Sequence, residues 1–413
     1  MSIVASTDGR REIATIGLVG SAHFMSHVMQ LAVPPLFPLL TVVFGASFTE
    51  LGLVMTLFSL ASGLGQATAG VLVDRYGASR LLIGGLTAIS AAIAAIGAAT
   101  HYWMLLPLAV VAGLGNSVFH PADLSILSHL VGKQRLGRAY AVHGLAGSIG
   151  FAVSPVLVTA IAGLYSWRAA LITVGAIGLS VAAMLYLRRP MLVYNRPEPG
   201  CSEGEARRRG SYRNVIGSPI VLLAFAYFAL TAFAGSGVQT FGVSALKEGY
   251  GMALQLATLA LACYLVGSSC GVFVGGFLAD RTEQHHRVAM SGIATSAVLV
   301  FVVSGLSDIG GIAALLLFAA GFAAGITAPS RDVLVRRAAA GAGAGTGSIF
   351  GFVYSGFDIG GSLAPLIFGT LLDHHRARLV FLVIGAAFAL ATPTVMQVQS
   401  RVLRRRRMAA AAE

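Results

Sequence analysis

The sequence predicts an all-α membrane protein with twelve transmembrane helices in two pseudo-symmetric six-helix bundles. Three observations carry this expectation. Of the 413 residues, 56% are hydrophobic and only 11% charged, whereas a soluble domain carries about 25% charge. Apolar runs of about 20 residues or more, enough to cross ~30 Å of hydrocarbon, recur along the chain. Finally, the second half repeats landmarks of the first at a nearly constant offset.

The predicted spans run roughly over 14–42, 50–73, 79–99, 103–130, 139–164, 166–187, 218–246, 252–279, 287–306, 309–334, 347–372 and 376–399. They show no period-2 alternation, so helices are favoured over a barrel. In span 5, "GLAGSIG" sets Gly144, Gly147 and Gly150 on one face and reads as close helix packing. Pro34, Pro35 and Pro38 in span 1 and Pro121 in span 4 free backbone carbonyls near polar residues. The only long polar stretch, 188–217, holds proline, glycine and charge. It reads as a cytoplasmic linker between bundles at 1–187 and 218–413, the second ending in a basic tail.

The repeat is read from three pairs. Asp74-Arg75 in "GVLVDRYG" matches Asp280-Arg281 in "GGFLADRT", 206 positions on. Pro121 in "HPADLSILSHL" matches Pro329 in "APSRDVLVRRA", at 208. Pro155 in "GSIGFAVSPVL" matches Pro365 in "FDIGGSLAPLI", at 210. A parallel repeat of six-helix halves is an architecture of secondary transporters.

The net charge of +12 reflects topology rather than nucleic-acid binding. With the amino terminus inside, 23 Lys and Arg fall on the inner side. Only four (Arg168, Lys247, Arg376 and Arg378) fall outside, and Arg331 lies within a span. By the positive-inside rule both termini are cytoplasmic, and anionic lipid is a secondary contact. Cys263 and Cys270 sit about 10 Å apart along one helix, too far to bridge. Arg10-Arg11 precedes an apolar run too long for a twin-arginine signal, so that run reads as the first helix.

The loop Gly70, Leu72, Asp74, Arg75, Gly77, with Arg80 after it, resembles the signature of the major facilitator superfamily. "SVFHPAD" followed by "GRAYAVHGLAGSIGFAVSPVL" resembles its fosmidomycin-resistance branch. The resemblance implies the major facilitator fold, and that Asp74 and Arg75 latch the cytoplasmic side in the outward-facing state. The second copy has Thr282 where the pattern wants an aromatic-glycine pair. "GFAVSP" is similar to the antiporter signature, with Ser154 in place of its second glycine.

Ionisable residues inside a membrane mark function by default. Span 1 holds His23, His27 and Gln30, and span 4 holds Asn116, His120 and Asp123, each set spaced to share one helix face. Span 7 adds Gln239, and span 11 adds Tyr354 and Asp358. Together these form the expected substrate or proton pathway. Asp74, Arg75, Arg80, Asp280, Arg281, Arg331 and Asp332 form the expected cytoplasmic gate. The histidines either bond neighbouring helices or line the site, and His120 and Asp123 either gate or touch substrate. Asp358, whose repeat partner is Ser148, either carries the proton or pairs with Arg331 or a histidine. A metal on the His23–His27 pair is set aside for want of a carboxylate motif.

No phosphate-binding "GxxxxGK[ST]" loop occurs, since Gln134 follows Lys133 and Leu127 takes the first glycine's place. Proton coupling is then the simplest energy source. The expectation is a proton-coupled antiporter of a bacterial inner membrane, exporting a small amphiphilic or anionic compound. It needs no cofactor and acts as a monomer. An uptake symporter is the alternative, while an intramembrane enzyme lacks any constellation of catalytic residues and a channel does not explain duplicated halves.

Overall fold

In the computed structural model, the described residues are 2–194, 218–306, 310–339 and 346–410. The main part of the expected linker, 195–217, lies outside them, as do the side chains of Arg336, Arg337 and the basic tail from 402. Twelve helical segments among the described residues are long and apolar enough to span a membrane.

Span 1 is α1 (Ser2–Gln30), a 3-10 turn (Pro34–Leu36) and α2 (Phe37–Phe44). The break follows from Pro34 and Pro35, which cannot donate to the preceding turn. Span 2 is α3 (Phe48–Tyr76). Ser47 and Glu50 close its start as a reciprocal capping box. Span 3 is α4 (Ala78–Gly97), and Gly77 between them takes φ 91°, which only glycine adopts without strain. Span 4 is two helices, α5 (Leu105–Asn116) and α6 (Phe119–Leu130). Then come α7 (Lys133–Leu164) and α8 (Trp167–Leu187).

The second half follows the same plan: α9 (Pro219–Tyr250), α10 (Leu254–Arg281), α11 (His285–Gly305), α12 (Ala313–Gly325), α13 (Ala328–Ala339), α14 (Thr346–Asp373) and α15 (Ala377–Ala410). Span 10 breaks between α12 and α13 where span 4 breaks between α5 and α6, just before Pro329 and Pro121 respectively. The chain forms two compact units, Met1–Arg196 with Ala253–Ala262, and Pro197–Met252 with Cys263–Glu413.

Within each unit the same helices pack. In the first, α1 lies on α7, α4 on α8 and α4 on α5; in the second, α9 lies on α14, α11 on α15 and α11 on α12. The glycine crossings repeat as well. A β-carbon at Gly113 would overlap the carbonyl oxygen of Phe58, and one at Gly321 that of Tyr264. Likewise Gly150 meets the carbonyl of Phe24, and Gly360 that of Ala229. Small residues let these backbones approach, because lipid supplies no hydrophobic drive for helix association.

The DRxG turn differs between the copies. Gly77 makes the first by its left-handed backbone, whereas in the second the Gln284 amide donates to Thr282 Oγ1 at 3.0 Å. A hydroxyl-closed turn therefore does the work of the glycine. After α8, the chain through Tyr194 packs onto the first unit: Leu192 is fully buried, and the Tyr194 ring stacks on His129 at 4.1 Å.

Candidate functional site

The polar residues of the first unit converge on Asp123, which is fully buried. It lies on α6, just beyond the break in span 4. His143 on α7 donates from Nε2 to Asp123 Oδ2 at 3.0 Å. His23 on α1 brings Nδ1 to 3.2 Å from the same oxygen, close enough for electrostatic attraction but outside hydrogen-bond alignment. The His23 and His143 rings stack at 3.6 Å, only 23° from parallel. His27 lies one turn further along α1, its ring 4.5 Å from His23 and edge-on to Phe151 at 4.1 Å. His120, with an exposed side chain, completes the group 5.3 Å from His23 and 6.2 Å from His143 between ring centroids.

Three helices, α1, α6 and α7, therefore meet around four imidazoles and one carboxylate. Room for them comes from α7. A β-carbon at Gly147 would lie 2.8 Å from His23 Nε2 and 3.1 Å from His27 Nε2. Ser154, at the departure from the antiporter signature, donates to the Val28 carbonyl at 2.7 Å and ties α7 to α1. Burying a carboxylate costs several kcal/mol unless it is paired, and His143 and His23 are what offset that cost. Asp123 Oδ1, His23 Nδ1 and His27 Nδ1 remain buried without hydrogen-bond partners among the described residues.

Sequence spacing placed His23, His27, His120 and Asp123 here, but it missed His143. The signal was present: His143, Gly147 and Gly150 fall at i, i+4 and i+7 of α7, so the small-residue face of that helix also carries an imidazole. Asn116, at the end of α5, donates from its amide to Ser62 Oγ at 2.9 Å and joins α5 to α3. Gln30 is the last residue of α1.

The second unit holds a different group. Arg331 Nε donates to Asp332 Oδ1 at 2.9 Å, and its guanidinium lies over Phe228 (4.6 Å) and Phe357 (5.1 Å). Tyr354 packs on the same two rings, at 4.9 and 5.9 Å. Asp358, near the middle of α14, has no ion-pair or hydrogen-bond partner among the described residues, and Arg331 is bonded to Asp332. Gln239 is half-buried on α9. Asp74, Arg75 and Arg80 are exposed around the Gly77 turn, with Arg75 over the Tyr76 ring at 5.5 Å. Asp280 and Arg281 are exposed at the end of α10.

The two groups occupy equivalent corners. Asp123 and Arg331 are 208 positions apart, the offset of Pro121 and Pro329. His23 and Phe228 are 205 apart, the offset of the crossing carbonyls of Phe24 and Ala229. A carboxylate against an imidazole in one unit thus becomes a guanidinium over a phenyl ring in the other.

Twelve spans, a duplicated helix plan and ionisable groups held inside the spans define a polytopic membrane transporter. The chain belongs to the Major Facilitator Superfamily, whose family model matches residues 19–348 and 223–408. It is 23% identical to the fosmidomycin resistance protein of Escherichia coli K12, over 91% of each chain. It is 27% identical to a probable L-galactonate transporter of the same organism, over 84% of this chain and 80% of that one. Among solved structures it is similar to a bacterial homologue of the human lysosomal transporter Spinster, with a TM-score of 0.79 at 15% identity. That match covers 95% of this chain and 98% of the other. The family consists of transporters for small molecules rather than enzymes, and the relatives compared are bacterial.

Proposed function

We propose that this chain is a proton-driven antiporter of the bacterial inner membrane that exports a small anionic or amphiphilic compound by alternating access. In this reading both termini are cytoplasmic, and residues 188–217 join the moving halves 1–187 and 218–413. Asp74, Arg75, Arg80, Asp280, Arg281, Arg331 and Asp332 form the gate, and the group around Asp123, with Tyr354 and Asp358, belongs to the substrate or proton path. The observation that carries the reading is Asp358, a carboxylate in mid-span with no cation against it among the described residues. Intramembrane acids either pair or serve as proton relays, and this one is unpaired. The anionic cargo is supported by Arg331 and by likeness to a relative named for fosmidomycin resistance.

One observation favours the opposite direction: Ser154 replaces a glycine of the antiporter signature and is held to α1 by a hydrogen bond. Vesicles separate the two readings. In inverted membrane vesicles, a lumen-acidic gradient should drive accumulation of labelled fosmidomycin above the level in vesicles lacking the protein. Accumulation of the probe only in right-side-out vesicles would replace export with proton-coupled uptake.

A further inference from the structure

We propose that His23, His120 and His143 form a site for a divalent transition metal of the zinc type, with Asp123 as the carboxylate that orients His23 and His143. This goes beyond the transport reading and does not rest on it.

One ring nitrogen from each of the three histidines lies within 4.8 Å of the others. In a tetrahedral zinc site with bonds of ~2.0–2.1 Å, ligand nitrogens stand about 3.4 Å apart. Closing the gap takes a small rotation of the rings, and His120 has the freedom for it because its side chain is exposed. Imidazole suits zinc, cobalt, nickel and copper, and a set of three leaves one open position.

The surroundings are those a metal site needs. Metal-binding histidines almost always present their second ring nitrogen to a carboxylate or carbonyl, which fixes ring and tautomer. Asp123 does this for His143 at 3.0 Å and stands 3.2 Å from His23. Asp123 is fully buried and its Oδ1 has no hydrogen-bond partner among the described residues, so a cation held by the three rings would offset a buried negative charge. The three ligands come from α1, α6 and α7, so a bound metal would cross-link three helices of one unit.

The test uses the full-length protein in detergent, free of any affinity tag. After incubation with zinc and gel filtration, wild type should retain one zinc per chain. Cobalt in its place should give the visible absorption of a low-coordinate site. His120→Ala, at an exposed side chain that the fold tolerates losing, should weaken zinc binding at least about tenfold and abolish the cobalt spectrum. His143→Gln should do the same while eluting as a folded monomer. The exposed pair His374 and His375 is the control, and changing both to alanine should leave binding intact. Retention of no zinc by wild type would overturn the proposal. So would wild-type affinity in both site variants, or loss of binding in the control alone.

Discussion

Gly144 and Gly147 lie three residues apart on α7, yet they meet different surroundings. A β-carbon at Gly144 would touch nothing within 4 Å, whereas one at Gly147 would press on two imidazole nitrogens. Gly144→Ala should therefore be neutral or stabilising by up to ~1 kcal/mol, the helix-propensity gain. Gly147→Ala should destabilise by about 1–3 kcal/mol through overpacking. Thermal unfolding in detergent compares them directly, and equal melting temperatures would refute the assignment. Asp358→Asn is the corresponding test of the proton carrier. It should abolish gradient-driven uptake into inverted vesicles while leaving expression and substrate binding near wild type. Much of the site was legible at this scale, since histidines and carboxylates in apolar helices stand out. His143 did not, because only the structure brings its face of α7 against Asp123.

At the scale of elements, the spans and their order were readable from hydropathy alone, and proline marked the breaks. The exact partners of polar groups were not, because a side chain's spacing fixes its face but not the neighbour it meets. Asn116 is the example: its spacing suggested a stripe with His120 and Asp123, and the partner its amide meets is Ser62 on α3. The arginines at the starts of the last helices show the converse. Arg168 Nη1 donates to the carbonyls of Gly97 and Ala99 at 3.2 and 2.6 Å, closing the end of α4 while lying over Trp167. Arg378, 210 positions on, donates to the Gly249 carbonyl at 3.2 Å near the end of α9. Cations at helix C-termini satisfy both the orphan carbonyls and the dipole. Arg168→Ala should cost about 1–3 kcal/mol, read as a lowered melting temperature. Arg168→Lys should recover only part, since it keeps the charge but loses the planar fork.

At the scale of the whole molecule, the expected latch at Asp74 and Arg75 makes a prediction of its own. Asp74→Asn should change the labelling rates of reporter cysteines placed at the two ends of the spans by several-fold, as a bias of about 1 kcal/mol in a two-state equilibrium requires. Unchanged labelling at both ends would remove Asp74 from the latch. The duplication was legible from three short matches because the residues that set helix crossings are few and tightly constrained. The chemistry of each half was less so, for it sits at positions where the copies no longer agree.

The paired corners at Asp123 and Arg331 have a consequence for how such a chain arises. Their crossings are kept, while the groups they position have opposite charge. After a gene doubles, the frame is inherited twice, and each copy can then specialise without disturbing the other's packing. A chain built from two copies of the first unit would keep every crossing described here. It would hold a second carboxylate where Arg331 stands, and serine where Asp358 stands. It would be a sound scaffold with its division of labour erased.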